Sequence, residues 1–241
     1  MKLISRPTRF FRPVIFAAIF AVTSAFTYAQ AQLTYLAPGV PDAATLLTPP
    51  PLMDSAEQAA DMEEVKAVYH AAGSNDKAAA YSEKKFTVFN FTEAVGPFFT
   101  EDNLPKTAAF FEKVQKDAET VTDLGKDYFH RPRPYTTDPS LANGKLEKSF
   151  SYPSGHSTET MVLGLVLAEA VPDKQDAIIA HARQMGWHRV QIARHYPTDI
   201  YAGRTLALAI VRELNKSDTF EKELAEVKTE IEATRKTAEK P

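Results

Sequence analysis

The 241-residue sequence contains no cysteine. That single absence removes a disulfide framework, a thiolate nucleophile and a lipid-modified cysteine anchor, so an exported form must rely on its core alone. Glycine is scarce, at nine residues, and no Gly-rich linker divides the chain. After the N-terminal leader no run of 18 or more apolar residues occurs, so the rest offers no stretch long enough to span a bilayer. Strand-like alternation and internal repeats are also lacking. Positive charge is in deficit, with 28 Lys and Arg against 31 Asp and Glu. Such a chain has no general attraction to nucleic acid or to an anionic membrane, and any affinity for phosphate must come from a local cluster.

The leader occupies residues 1–31. Lys2, Arg6, Arg9 and Arg12 precede the apolar run "VIFAAIFAVTSAF" (14–26), and "AQA" (29–31) supplies small residues for cleavage. This is the pattern of a secretory signal peptide, and it predicts export to the periplasm with no stable membrane insertion after cleavage. Removal would take away four cations and no acid, moving the formal charge from −3 to −7. Residues 32–53, with "TPPPLMD", read as an extended Pro-rich segment over the surface. From Asp54 or Ser55 onward the pattern is helical. One helix is expected to His70 and one over 105–129, where Ala109, Phe110, Val114, Ala118, Val121 and Leu124 approximate a 3.6-residue period. "HSTETMVLGLVLAEAV" (156–171) is apolar nearly all round and reads as a central helix. "KQDAIIAHARQMGWHRVQIARH" follows as a helix, and Pro197 marks a break before "TDIYAGRTLALAIVREL". Residues 215–241 form a charged C-terminal helix whose narrow stripe is Phe220, Leu224, Val227 and Ile231. The expected fold is all-α, a single-domain helical bundle over 54–214 with that last helix packed outside.

Three segments carry unusual chemistry: Lys126-x6-Arg133-Pro134 within "KDYFHRPRPY", "YPSGH" (152–156), and Arg189-x5-His195-x3-Asp199. Singly, each has an ordinary reading as a solvated basic turn, a helix start or a helix-end histidine. His181, His188 and His195 recur every seven residues, but a seven-residue helical step rises about 10.5 Å, which is awkward for sharing one metal ion. Jointly they suit an anion. Ser154 and Gly155 stand where an apolar helix begins, with free N–H groups and the positive end of its dipole. Arginine forks and a lysine can neutralise phosphoryl oxygens, and two histidines can divide the roles of nucleophile and acid. An Asp on one ring nitrogen leaves the other as a free lone pair. This set fits phosphoryl transfer.

In this order the three segments resemble the signature of the type 2 phosphatidic-acid phosphatase and vanadium haloperoxidase superfamily. Within it the chain most resembles the bacterial class A non-specific acid phosphatases, over roughly residues 35–213, through "LLTPPPLMDS", "KDYFHRPRPY", "SYPSGHST", "LVLAEAVPDKQ" and "HYPTDIYAG". The resemblance implies that Lys126, Arg133 and Arg189 hold the phosphoryl oxygens, with Ser154 and Gly155 completing the cradle. It implies His195 as the nucleophile that becomes phosphorylated, Asp199 as its orienting group, and His156 as general acid and base. It implies phosphate monoesters as substrates and neither metal nor organic cofactor. His130 and Arg131 match none of these roles and read as charge at the rim. Two departures from the pattern stand out. His188 replaces the usual Ser before the third-segment arginine, which bears on how Arg189 is positioned. Phe150 replaces a Gly two residues before Tyr152, which bears on the width of the pocket mouth.

Three other functions use the same residues. A lipid-phosphate phosphatase would need the several membrane spans its family carries. A vanadate-dependent haloperoxidase belongs to much longer chains. An inactive phosphate-binding module would need only the cations and backbone amides, not two histidines and an Asp. Physiological substrate, pH optimum and homo-oligomerisation are left open by the sequence.

Overall fold

The computed structural model describes residues 33–240, so the leader expected over 1–31 lies outside the described residues. In chain order the helices are α1 (Ala43–Leu46), α2 (Ala56–Ala71), α3 (Ser74–Ser82), α4 (Thr92–Val95) and α5 (Pro105–Phe129). They continue with α6 (Pro134–Thr137), α7 (Gly155–Ala170), α8 (Gln175–Gln191), α9 (Pro197–Leu214) and α10 (Asp218–Ala238). No strand occurs among the described residues, and none of their helices is long and apolar enough to cross a membrane. The architecture is all-α.

Helix α7 lies at the centre and packs on α5, α8 and α9. Its Val162, Leu163, Val166 and Leu167 are fully buried. Burial of each such side chain stabilises the fold by about 1.5–3 kcal/mol before entropy is counted. The entrance of α7 is held tightly against α9. A Cβ at Gly203 would stand 2.9 Å from the Ser154 carbonyl oxygen and 3.1 Å from the Thr158 nitrogen, so only glycine permits this approach.

The stripe on α5 differs in part from its sequence reading. Phe110, Val114, Ala118 and Val121 are buried as the period predicts, and Phe111 joins them, but Ala109 and Leu124 face solvent. The N-terminal segment is more than a surface strap. The buried carboxylate of Asp117 on α5 accepts the backbone N–H groups of Thr34, Tyr35 and Leu36 at 2.8, 2.8 and 3.1 Å, and Tyr35 and Leu36 enter the core. Helix α10 buries Phe220, Leu224, Val227 and Ile231 in the main core cluster through contacts with α5 and α7.

Helix α8 ends at Gln191, four residues before the expected end at His195. The chain then makes a tight turn in which Ala193 adopts φ 54° and its N–H donates to the Val190 carbonyl at 2.8 Å. Continued helix would place Arg194 and His195 on the successive faces of α8. The turn instead drives both inward, where both are buried.

Candidate active site

Four structural units converge on one end of the bundle. They are the C-terminus of α5, the segment 130–133, the N-terminus of α7, and the turn between α8 and α9. Helix α5 stops because His130 adopts the left-handed conformation (φ 53°, ψ 27°), and its ring packs edge-on to Phe150 with centroids 4.6 Å apart. Phe150 therefore has a defined neighbour in the exposed His130.

His195 is set from both sides of its ring. Nδ1 lies 3.3 Å from Asp199 Oδ2, and Nε2 lies 3.2 Å from Arg133 Nη1. A guanidinium can only donate and an ionised carboxylate can only accept. The proton is thus on Nδ1, and Nε2 carries the lone pair. Burial, chiefly, together with the charge of Arg133, pushes the His195 pKa down to about 4, against the opposing pull of Asp199. The ring is neutral above that value.

Asp199 is the third residue of α9, and helix geometry lets its Oδ2 turn back to accept the Tyr196 N–H at 2.9 Å. Oδ2 also accepts the Ser151 hydroxyl at 2.5 Å, while Oδ1 accepts Arg131 Nη1 at 2.6 Å. Burial alone would push this carboxyl up, but the bonds from His195 and Ser151 and the charge of Arg131 hold it below its ordinary range.

Arg131 is not rim charge. Its guanidinium is 1% exposed and donates to Asp199, Asp61 Oδ2 at 2.7 Å, Gln58 Oε1 at 2.6 Å and Thr198 Oγ1 at 2.7 Å. It also lies 3.9 Å over the Tyr196 ring. A buried guanidinium is tolerated only with such pairing. Here the pairing ties α2 to α9 and clamps the Asp199 carboxylate from behind.

The remaining predicted residues join the same region. Lys126 Nζ pairs with Asp123 at 2.8 Å and would stand 3.2 Å from a Cβ at Gly155, so the glycine lets the lysine lie against the start of α7. Ser154 caps α7 through its Oγ, which accepts the Ser157 N–H at 3.3 Å. Its own N–H is not free, as the sequence reading supposed, because it donates to the Asp199 carbonyl at 3.1 Å. Ser154 therefore has only its hydroxyl proton to offer an anion, whereas no acceptor among the described residues takes the Gly155 N–H. Arg189, in the last turn of α8, is buried, and desolvation lowers its pKa to about 10.

His156 Nε2 lies 3.1 Å from the Glu83 carbonyl oxygen and its ring packs on Phe86. Since a carbonyl only accepts, Nε2 carries a proton there. Burial, then the charges of Arg189 and Lys126, hold His156 well below its ordinary pKa. The same Glu83 takes His188 Nδ1 with its carboxylate at 2.7 Å. His188 thus bears on His156 through Glu83. The three histidines at seven-residue spacing go to separate partners: His181 to Phe91, His188 to Glu83 and His195 to Asp199.

Glu147, on the segment between α6 and α7, was not singled out from the sequence. Its carboxylate meets Arg189 Nη2 at 2.9 Å, Arg194 Nε at 3.1 Å and Arg133 Nη1 at 3.9 Å. Burial would raise its pKa, but Arg133, Arg189 and Arg194 outweigh burial and hold it below the ordinary carboxylate range. Arg194 lies over the Tyr135 ring and donates to the Asn143 and Lys145 carbonyls, which anchors that segment. Neither residue belongs to a recognisable spacing, and nothing in the one-dimensional pattern marks them.

Four similarities to known proteins bear on this arrangement. A protein-family model described as "PAP2 superfamily" matches residues 118–219. The chain is 32% identical over 152 residues to a non-specific acid phosphatase of Providencia stuartii, an alignment that covers 61% of each chain. It is 29% identical over 196 residues to one of Salmonella typhi, covering 77% of this chain and 78% of that protein. In fold it is similar to a bacterial vanadium-dependent iodoperoxidase, with a TM-score of 0.56 at 20% identity over 73% of this chain and 53% of that one.

Proposed function

We propose, from the match of residues 118–219 to the PAP2 superfamily model and the similarity to non-specific acid phosphatases, that the chain is an acid phosphatase that hydrolyses phosphate monoesters through a phosphohistidine on His195. The observation that carries this reading is the ring of His195, protonated toward Asp199 and bearing its lone pair on Nε2 beside Arg133. A nucleophile needs that lone pair directed at phosphorus; the carboxylate fixes it on Nε2, and Arg133 turns its N–H from Nε2 to the phosphoryl oxygens as substrate binds.

In the first step Nε2 attacks phosphorus, the P–O bond to the leaving group breaks, and His156 transfers a proton to the departing oxygen. Lys126, Arg133 and Arg189, with the Gly155 amide and Ser154 hydroxyl, take up the charge on the three equatorial oxygens. In the second step His156 accepts a proton from water as the water oxygen attacks phosphorus and the P–N bond breaks. His156 is neutral in the free site because of its burial and the cations around it. Arrival of a phosphoryl dianion adds the negative charge that draws a proton onto it. With Nε2–H engaged by Glu83, Nδ1 is the nitrogen that exchanges this proton.

Orthovanadate can adopt the five-coordinate geometry of the transferring phosphoryl group. It should inhibit competitively with a constant at least about 100-fold below the KM for a monoester, the low end of the range for transition-state analogues. Activity should persist in excess chelator. Loss of activity in chelator, restored by zinc or magnesium, would show that a metal takes part and overturn the mechanism.

We also propose a periplasmic location, with the signal peptide over 1–31 removed, an N-terminal segment over 32–53 and a phosphatase domain over 54–214. Intact mass of protein recovered from the envelope fraction should correspond to an N-terminus near Gln32. A full-length chain recovered from the cytoplasm would contradict this.

A further inference from the structure

Glu147 occupies a position that the phosphatase reading leaves unexplained. Its carboxylate lies among three guanidinium groups, two of which, Arg133 and Arg189, are those expected to hold the phosphoryl group. We propose that Glu147 is an internal competitor for the phosphoryl site, which substrate displaces on binding and which helps to expel product phosphate. The proposal rests on the phosphatase reading and adds to it a residue that sets affinity for every phosphoryl anion.

Three observations carry it. First, Arg189 Nη2 gives one of its two N–H groups to Glu147 at 2.9 Å, so the carboxylate stands at the same guanidinium that a phosphoryl anion would approach and repels it there. Second, the fit is incomplete. Arg189 is buried, yet its Nε has no partner among the described residues, so the Nε and Nη2 edge of the fork is only half used. A phosphoryl group presents oxygens that can take both edge donors, the geometry that favours arginine for phosphate. Third, the competitor can leave. Glu147 stays 28% exposed at the side chain, so its carboxylate can swing outward, giving up the Tyr135 hydroxyl at 3.3 Å, while that hydroxyl holds the Glu147 backbone carbonyl at 2.9 Å. A dianion that fills the half-used edge replaces the carboxylate at Arg189 and Arg133, while the buried Arg194 keeps the Ile192, Asn143 and Lys145 carbonyls. When product phosphate departs, Glu147 returns and restores that pairing.

A competitor of this kind weakens all ligands of one site by one factor, because each must displace the same contact. A purely structural Glu147 acts in the opposite direction: without it the arginines repel one another, the cluster loosens and anions bind more weakly. The two roles differ in sign.

The test is isothermal titration of the purified protein and of Glu147→Gln with inorganic phosphate and with vanadate, beside the KM for an aryl monoester. Glu147→Gln keeps the shape and removes the charge. Both dissociation constants and the KM should fall together by about tenfold, the size of one charge-assisted hydrogen bond. Glu147→Ala should give the same sign, and thermal melts of both variants establish that they fold. Unchanged or weaker binding in the folded variants, or tighter binding of only one ligand, would overturn the competitor while leaving the phosphatase reading intact. A wild-type protein that neither binds vanadate nor hydrolyses monoesters would overturn both.

Discussion

His195→Ala should lower kcat/KM for every phosphate monoester by about 10⁶-fold, the scale seen when a nucleophile is removed from a preorganised site. The residual rate would come from the cations and amides that remain. Asp199→Asn should cost about 10⁴-fold, because a neutral amide no longer fixes the Nδ1–H tautomer that keeps the lone pair on Nε2. Asp61 still pairs Arg131 in that variant, so the buried guanidinium keeps one carboxylate. Ligand titration with vanadate separates chemistry from binding, and Asp199→Asn should bind it while turning over slowly. The wild-type profile carries a sign as well. kcat/KM reports the free enzyme, and His195 titrates near 4. The rate should therefore fall as pH is lowered through about 4, where protonation consumes the lone pair. A rate that keeps rising below that pH, or His195→Ala activity within tenfold of wild type, would remove His195 from the role.

The second large effect concerns the leaving group. Alkoxide departure needs a proton in the transition state, whereas the anion of an acidic phenol leaves unaided. General acid catalysis is worth about 10²–10⁴-fold where it is required. His156→Ala should therefore slow phosphoenzyme formation by that factor on alkyl phosphates and hardly at all on phosphates of strongly acidic phenols. Single-turnover measurement is essential, because the same side chain should activate water in the second step. Equal slowing on both substrate types would make His156 a binding or structural residue. His188, linked to it through Glu83, would then be examined first.

The sequence carried much of this arrangement in readable form. A segment apolar on all faces became the buried α7, since no orientation of such a helix leaves a polar face to solvent. The four-residue step from His195 to Asp199 put a carboxylate within reach of one ring nitrogen, and the structure joins the two. Other features depended on three-dimensional facts that spacing does not encode. Arg131 and Arg133 look equivalent on paper, two residues apart in one basic run. Arg133 has φ −78° and ψ 157°, close to polyproline geometry, whose three residues per turn send side chains two apart to different faces. One arginine therefore meets His195 while the other enters the core. The end of α8 was also hidden, because "RVQIARH" keeps good helix formers past Gln191 and only the burial of Arg194 and His195 rewards breaking it. The Ser154 N–H seemed available because helix starts leave such groups open, but the close packing of α9 supplied the Asp199 carbonyl. Glu147 left no trace in the pattern, being a lone acid on an irregular segment.

The central claim is a covalent bond between phosphorus and His195 Nε2, and trapping that bond tests it most directly. Wild-type protein mixed with a rapidly cleaved aryl phosphate and quenched within milliseconds should yield a phosphoenzyme that is stable in alkali and labile in acid. Peptide mapping under alkaline conditions should find the phosphoryl group on His195, and the adduct should be missing from His195→Ala. A phosphoryl group on another residue, one that persists in His195→Ala, or burst-free turnover with no trapped adduct in the wild type would contradict the account.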